Sequence, residues 1–155
     1  MTDESLESRV KDLETRVRAL EAVAEQVTAD LGGTLHYQGT LTTPADLTWS
    51  MTLPVTRVLA LPDHPHIEVL SALGHPVRAS LVRVLAKDGP QSAADLQTAA
   101  EIGSTGQLYH HLKPLTTTGL VEQDGRGRYR LRPQATIPAL LLLAAAADIA
   151  GQFKS

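Results

Sequence analysis

Gln107, Tyr109, His110 and Lys113 lie so close together that a helix would gather them towards one side. They offer hydrogen-bond donors and acceptors and one fixed positive charge. Such a set can meet base edges and neutralise a phosphate. Ser104, Thr105 and Gly106 stand just before them, where a helix N-terminus attracts phosphate and glycine lets a backbone come close. Arg126 and Arg128 follow, in a run that continues with Arg130 and Arg132. No nucleophile stands beside a base and no phosphate loop is present, so the chain is not expected to be an enzyme. A solvated polar helix face would carry the same letters, and Gln107 could simply close a helix cap. On this stretch alone the two readings balance.

The elements that must hold these groups follow from the surrounding residues. Ser104 suits an N-cap, with Gln107 at capping-box spacing. Leu108, Leu112 and Leu115 form a buried stripe, opposite Gly106, Tyr109, His110, Lys113 and Thr117. His111 falls nearer the buried side and reads as structural. Gly119 suits the position just past a helix end. Pro114 interrupts the run, so a kink or a tightened last turn is expected. Asp124-Gly125-Arg126-Gly127 then marks a turn between two short alternating runs. Arg128, Arg130 and Arg132 share one face of the second run; Tyr129 and Leu131 share the other. Arg126 at the tip can enter a minor groove or clamp a phosphate. Charge that protects an edge strand is the plainer use of such arginines.

Upstream, Gly74-His75-Pro76 ends one helix and opens another, with Val77, Leu81, Val84 and Leu85 as its stripe and Asp88-Gly89-Pro90 as its end. Ser92 to Asp95 is a second capping box, opening a short helix around Leu96 to Ala100. Glu101-Ile102-Gly103 is a tight turn. Helix, short helix, turn, helix and basic hairpin is the layout of a winged helix-turn-helix. On these motifs residues 67–133 resemble the ArsR-type family (arsenical-resistance repressors). The most specific pieces are Leu-Gly-His-Pro-Val-Arg, His-Leu-Lys, and Gly-Leu-Val before the hairpin. The resemblance implies that the helix from Ser104 to Thr118 enters the major groove and that Val121 to Leu131 is the wing. It also implies dimeric repressors that release DNA when an inducer binds. Two departures limit it. Many members sense through cysteine, and this chain has none. Others bind metal on the last helix, which here holds Asp148 and no histidine. The family's inducer sites therefore do not carry over. Asp63, His64, His66 and His75 can be drawn as a ligand set, but a Pro-rich loop with incidental histidines explains them better. No metal site and no cofactor is expected.

Leu6, Val10, Leu13, Val17, Leu20, Ala24, Val27 and Leu31 alternate four and three apart. Val at a and Leu at d favour a parallel two-stranded coiled coil, with Arg9 and Arg16 at g facing Glu14 and Glu21 at e of a partner. Leu6, Val10, Leu13, Val17, Leu20 and Val27 are the dimerisation candidates. Gly32-Gly33 stops this helix. Residues 34–66 read as a hairpin (Leu35, Tyr37 and Leu41; Leu47, Trp49, Met51 and Leu53) followed by a Pro-rich linker through Pro54, Pro62 and Pro65. A final helix from about Pro138 to Gln152 is Leu- and Ala-rich nearly all round and must be buried, which a dimer interface would do.

The fold class expected is mainly α with small β. It comprises a coiled coil (1–33), a hairpin and linker (34–66), a winged helix-turn-helix (67–133) and a dimerisation helix (134–155). The chain of 155 residues has 43% hydrophobic residues, no cysteine and a net charge of −3. Disorder and a disulfide framework are excluded. With no signal sequence and no apolar run long enough to span a bilayer, a cytoplasmic protein without membrane contact is expected. The charge is uneven: residues 1–33 carry eight acids and four bases, residues 67–133 six acids and eight bases. The leading expectation is a homodimeric, sequence-specific regulator that binds double-stranded DNA, a repressor, open to a small-molecule or protein effector. The alternative is a winged-helix module that binds a protein partner, with DNA binding weak or lost.

Overall fold

The computed structural model describes residues 3–30 and 32–153, with side chains described for residues 6–24 and 32–153. Of the coiled-coil positions, the side chain of Val27 and all of Leu31 lie outside the described residues. The chain forms two units. The first comprises Met1–Tyr37 and Met51–Leu61, the second Gln38–Ser50 and Pro62–Ser155.

In the first unit, α1 runs as one helix from Asp3 to Asp30. Its heptad positions Leu6, Val10, Leu13, Val17 and Leu20 are all exposed, from 49% to 70%. Arg16 pairs with Asp12 and Arg18 with Glu14, each at 3.9 Å and one turn apart on well-exposed side chains. Such loose surface pairs contribute little. β1 (Thr34–Leu41) and β2 (Leu47–Pro54) form the expected hairpin, which begins and ends in this unit and has residues 38–50 in the second, and burial alternates along β1. His36 Nδ1 meets Thr52 Oγ1 at 2.6 Å, and Tyr37 donates its hydroxyl to Met51 Sδ at 3.1 Å. A short α2 (Val55–Leu59) follows, in a stretch expected to be linker.

The second unit contains α3 (Asp63–Leu73), α4 (Pro76–Asp88), β3 (Gln91–Ser92), α5 (Ala93–Ala99), α6 (Thr105–Thr117), β4 (Val121–Gln123), β5 (Arg128–Leu131) and α7 (Pro133–Ile149). Two boundaries differ from the sequence reading. The Pro-rich linker gives way to α3 at Asp63, because Pro65 sits in the first turn, where a missing N–H costs nothing. The last helix begins at Pro133, not near Pro138: Pro133 occupies the first turn and the helix runs on through Pro138. That helix is also not buried on all sides within the chain. Thr136, Ile137 and Ala139 are buried, whereas Leu142 and Ile149 are exposed.

The Gly74-His75-Pro76-Val77-Arg78 run makes the corner between α3 and α4, whose axes meet at 85°. His75 caps α4, its Nδ1 accepting from Val77 N–H at 3.2 Å. Arg78 turns back and donates to the carbonyls of Ala72 and Ser71, satisfying acceptors that the end of α3 leaves open. The core comprises Leu81, Val82 and Leu85 of α4, Leu96 of α5, and Leu108, Leu112 and Leu115 of α6. Leu120, Val121, Tyr129 and Leu131 close it from the sheet side. Val82 is fully buried and was not part of the expected stripe. The sheet has strand order β3-β5-β4; Gln91 pairs with Tyr129, and Val121 with Leu131. No single helix among the described residues is long and apolar enough to cross a membrane.

Candidate nucleic-acid interface

α5, the turn and α6 are set by their caps. Ser92 and Asp95 form a reciprocal capping box: Ser92 Oγ accepts from Asp95 N–H at 3.1 Å, and Asp95 Oδ2 accepts from Ser92 N–H at 3.4 Å. Ser104 caps α6 by accepting from Gln107 N–H at 3.3 Å, the first half of the box that its spacing implied. Thr105 Oγ1 reaches Gln97 Oε1 at 3.2 Å and ties α6 to α5. At the other end α6 passes through Pro114 and closes in a Schellman motif. Gly119, at φ +75°, donates to Thr116 O, and Leu120 donates to Leu115 O.

Burial sorts the faces of α6 as the spacing predicted. Leu108, Leu112 and Leu115 are at most 2% exposed. Ser104, Thr105, Gly106, Gln107, Tyr109, His110 and Lys113 are all exposed. An open groove runs between this face and the wing, lined by Tyr109, Lys113 and Thr116 on α6 and by Glu122, Gln123 and Tyr129 on the sheet.

The wing arginines divide. Arg130 Nε lies 2.9 Å from Glu122 Oε1, and its Nη1 lies 3.4 Å from Asp124 Oδ1. Arg132 Nε stands 3.5 Å from the second oxygen of Glu122, too far for a hydrogen bond. Arg128 donates to the carbonyl of Pro90 at 2.8 Å, which anchors β5 to the loop after α4. Arg126 stands exposed in the turn that Asp124 N–H and Arg128 O close at 2.9 Å. Arg128 and Arg126, both expected to contact DNA, therefore differ: one is engaged within the fold and the other projects from it. Tyr129 and Leu131 are buried, as their alternation implied.

His111 is half-buried midway along α6. Its ring lies 4.8 Å from that of His75 and 5.6 Å from that of His110, centroid to centroid. Its Nδ1 is buried with no partner among the described residues. Burial, then the neighbouring His75, His110 and Arg78, hold its pKa below the ordinary histidine value. Asp63, His64 and His66 stand at the start of α3 while His75 stands beyond its end. His64 faces Glu68 at 3.5 Å. Among the described residues no three His, Cys, Asp or Glu side chains gather as metal ligands.

Residues 73–124 match the family described as helix-turn-helix domain. No curated protein matches the chain. Among solved structures, the chain is similar to quinone-bound YodB from B. subtilis, with 23% identity and a TM-score of 0.50 over 58% of this chain and 98% of that one. It is also similar to the homodimeric winged helix-turn-helix DNA-binding domain Mb0332 from Mycobacterium bovis, a possible ArsR-family transcriptional regulator. There the identity is 20% and the TM-score 0.50, over 64% of this chain and 91% of that one. A third is the transcriptional repressor BigR from Xylella fastidiosa, with 28% identity and a TM-score of 0.49 over 61% and 95%. The fold that the motifs implied, a winged helix-turn-helix, is found in the second unit.

Proposed function

We propose that this protein is a homodimeric DNA-binding transcriptional regulator that reads sequence with α6 and grips the flanking backbone or minor groove with Arg126. One observation carries the reading. α6 commits Leu108, Leu112 and Leu115 to the core and leaves Tyr109, His110 and Lys113 outside, in the same unit as the projecting Arg126. An exposed helix face with donors, acceptors and a cation, beside a basic wing tip, suits a major groove and its adjoining phosphates. The exposed Leu and Val stripe of α1 supports the dimer. Repression is the direction that the likeness to ArsR-type proteins suggests, and a cytoplasmic setting goes with it.

The second reading, a winged-helix module for a protein partner, draws on the wing itself. Arg130 and Arg132 face Glu122 and Asp124, so much of the basic charge is neutralised in place. Duplex selection from a random library, followed by anisotropy titrations of the enriched and unselected duplexes at several salt concentrations, separates the two. The regulator reading expects an enriched sequence and an affinity that falls with salt. If nothing is enriched and no duplex binds at low salt, the protein-partner reading replaces it.

A further inference from the structure

A cleft of about 160 Å³ lies in the second unit, where the tip of the β1–β2 hairpin rests at the base of the wing. Leu41, Pro44 and Leu47 of the hairpin form one wall; Leu85 of α4, Leu131 of β5 and Thr136 of α7 face them. Two glycines let the tip lie this close. A Cβ on Gly39 would stand 2.5 Å from Ile137 Cγ2, and one on Gly89 would stand 3.2 Å from Pro44 Cβ. The tip is thus packed against the start of α7 and the end of α4, and the cleft is what that packing leaves unfilled.

Space of this size with Leu and Pro walls suits one aromatic ring: an engineered apolar cavity of about 150 Å³ takes up benzene. Arg130 is the one charged residue on the lining. Arg130 and Arg132 stand against Glu122 and Asp124, two charges of each sign, and Arg128, which donates to the carbonyl of Pro90 on the lining, leaves one positive charge over. The Thr136 hydroxyl donates to Arg132 O at 2.9 Å, so its oxygen can still accept but its proton is committed. A ring with a single anionic group therefore matches both features, its ring on the apolar walls and its oxygens towards Arg130.

We propose that this cleft binds a small aromatic carboxylate, and that its occupancy is felt at the wing. A carboxylate at Arg130 competes with Glu122 and Asp124, and Asp124 opens the turn that carries Arg126. The binding half stands on the cleft alone; the coupling half rests on the DNA-binding reading above.

Benzoate and toluene are titrated into the full chain, followed by calorimetry and by the fluorescence of Trp49, the single tryptophan, two residues from Leu47 in β2. Benzoate should saturate at one per chain and bind about tenfold tighter than toluene, a difference of about 1.4 kcal/mol. Ala86→Leu, from the α4 side, and Ala45→Leu, from the hairpin side, both fill the cleft. Each should lower benzoate affinity by about tenfold or more with an unchanged circular dichroism spectrum. Arg130→Gln should remove the preference for benzoate over toluene. No saturable benzoate binding to the parent overturns the site. So does undiminished binding in whichever filled variant keeps the parental spectrum. On a selected duplex, saturating benzoate should shift Kd in the parent and not in a filled variant. An unshifted Kd with benzoate bound overturns the coupling and leaves the site standing. Failure of the benzoate-free protein to bind any duplex overturns the DNA-binding reading, and the coupling with it, but not the site.

Discussion

Side chains of similar exposure on α6 and the wing are suited to different tasks. Lys113 and Arg126 are flexible cations that can meet any phosphate, whereas Tyr109 and His110 present directional groups that can tell bases apart. Lys113→Ala and Arg126→Ala should therefore weaken binding to selected and random duplexes alike, each lowering the salt slope by about one unit. Tyr109→Ala and His110→Ala should cost about 1–3 kcal/mol on the selected duplex and little on random DNA. Anisotropy at several salt concentrations on both duplexes measures all four, and parental binding throughout would remove α6 and the wing from the interface. Their neighbour His111 is half-buried. Its pKa is held below the ordinary value, so the folded state favours the neutral ring. As pH falls below about 6.5 the unfolded chain takes up this proton before the folded one does. The stabilisation is complete above that pH and is lost as pH drops through the lowered folded value. Melting temperatures between pH 7.5 and 5.5 should fall towards acid, and His111→Gln should flatten that fall. An equal slope in parent and variant would assign the acid sensitivity to other groups.

Elements were legible where a cap and an apolar stripe coincided. α4, α5 and α6 each begin at a side-chain cap and bury leucines at helical spacing, and Tyr129 and Leu131 alternate into the core. What escaped the sequence had a physical cause in each case. β3 is two residues long, too short for a period-2 pattern, and exists because Gln91 and Ser92 pair with β5. The starts of α3 and α7 were misplaced because a proline in the first turn reads equally well as a linker. The roles of Arg78 and Arg128, capping α3 and holding Pro90, depend on partners that spacing does not reveal. The turn between α5 and α6 is a subtler case, since its left-handed residue is Glu101 at φ +53°, not Gly103. Glu101 donates to Thr98 O at 3.2 Å and Ile102 to Gln97 O at 2.9 Å, the Schellman pattern with a glutamate where glycine is favoured. An L-residue there costs about 1–2 kcal/mol, partly offset by the greater freedom of glycine in the unfolded chain. Glu101→Gly should thus stabilise the protein by roughly 1 kcal/mol, seen as a higher urea midpoint at unchanged slope. A lower midpoint would show that the glutamate side chain makes up for its backbone.

At the scale of the molecule, the two units share one property: apolar side chains left without cover. α1 exposes Leu6, Val10, Leu13, Val17 and Leu20, and the second unit exposes Ile67 and Leu70 of α3, Leu142 and Ile149 of α7, and Phe153. Single exposed leucines need no explanation, but five at a and d of one helix form a seam. A second copy of α1 in parallel register would cover it. Arg9 and Arg16 would then face the partner's glutamates at positions 14 and 21, in place of the loose pairs seen within one helix. Sedimentation of the full chain should accordingly give twice 16.6 kDa. Val10→Asp with Val17→Asp puts four carboxylates into the seam of a dimer, where each lacks a partner and loses its water. The paired substitution should shift the protein towards monomer at micromolar concentration while leaving the second unit folded, since both positions lie in the first. Affinity for a selected duplex should fall with it, because two linked wings engage two half-sites and one does not. A parent that sediments as a monomer would sink the coiled-coil dimer outright. A variant that remains dimeric with parental affinity would move the interface from α1 to the exposed faces of α3 and α7.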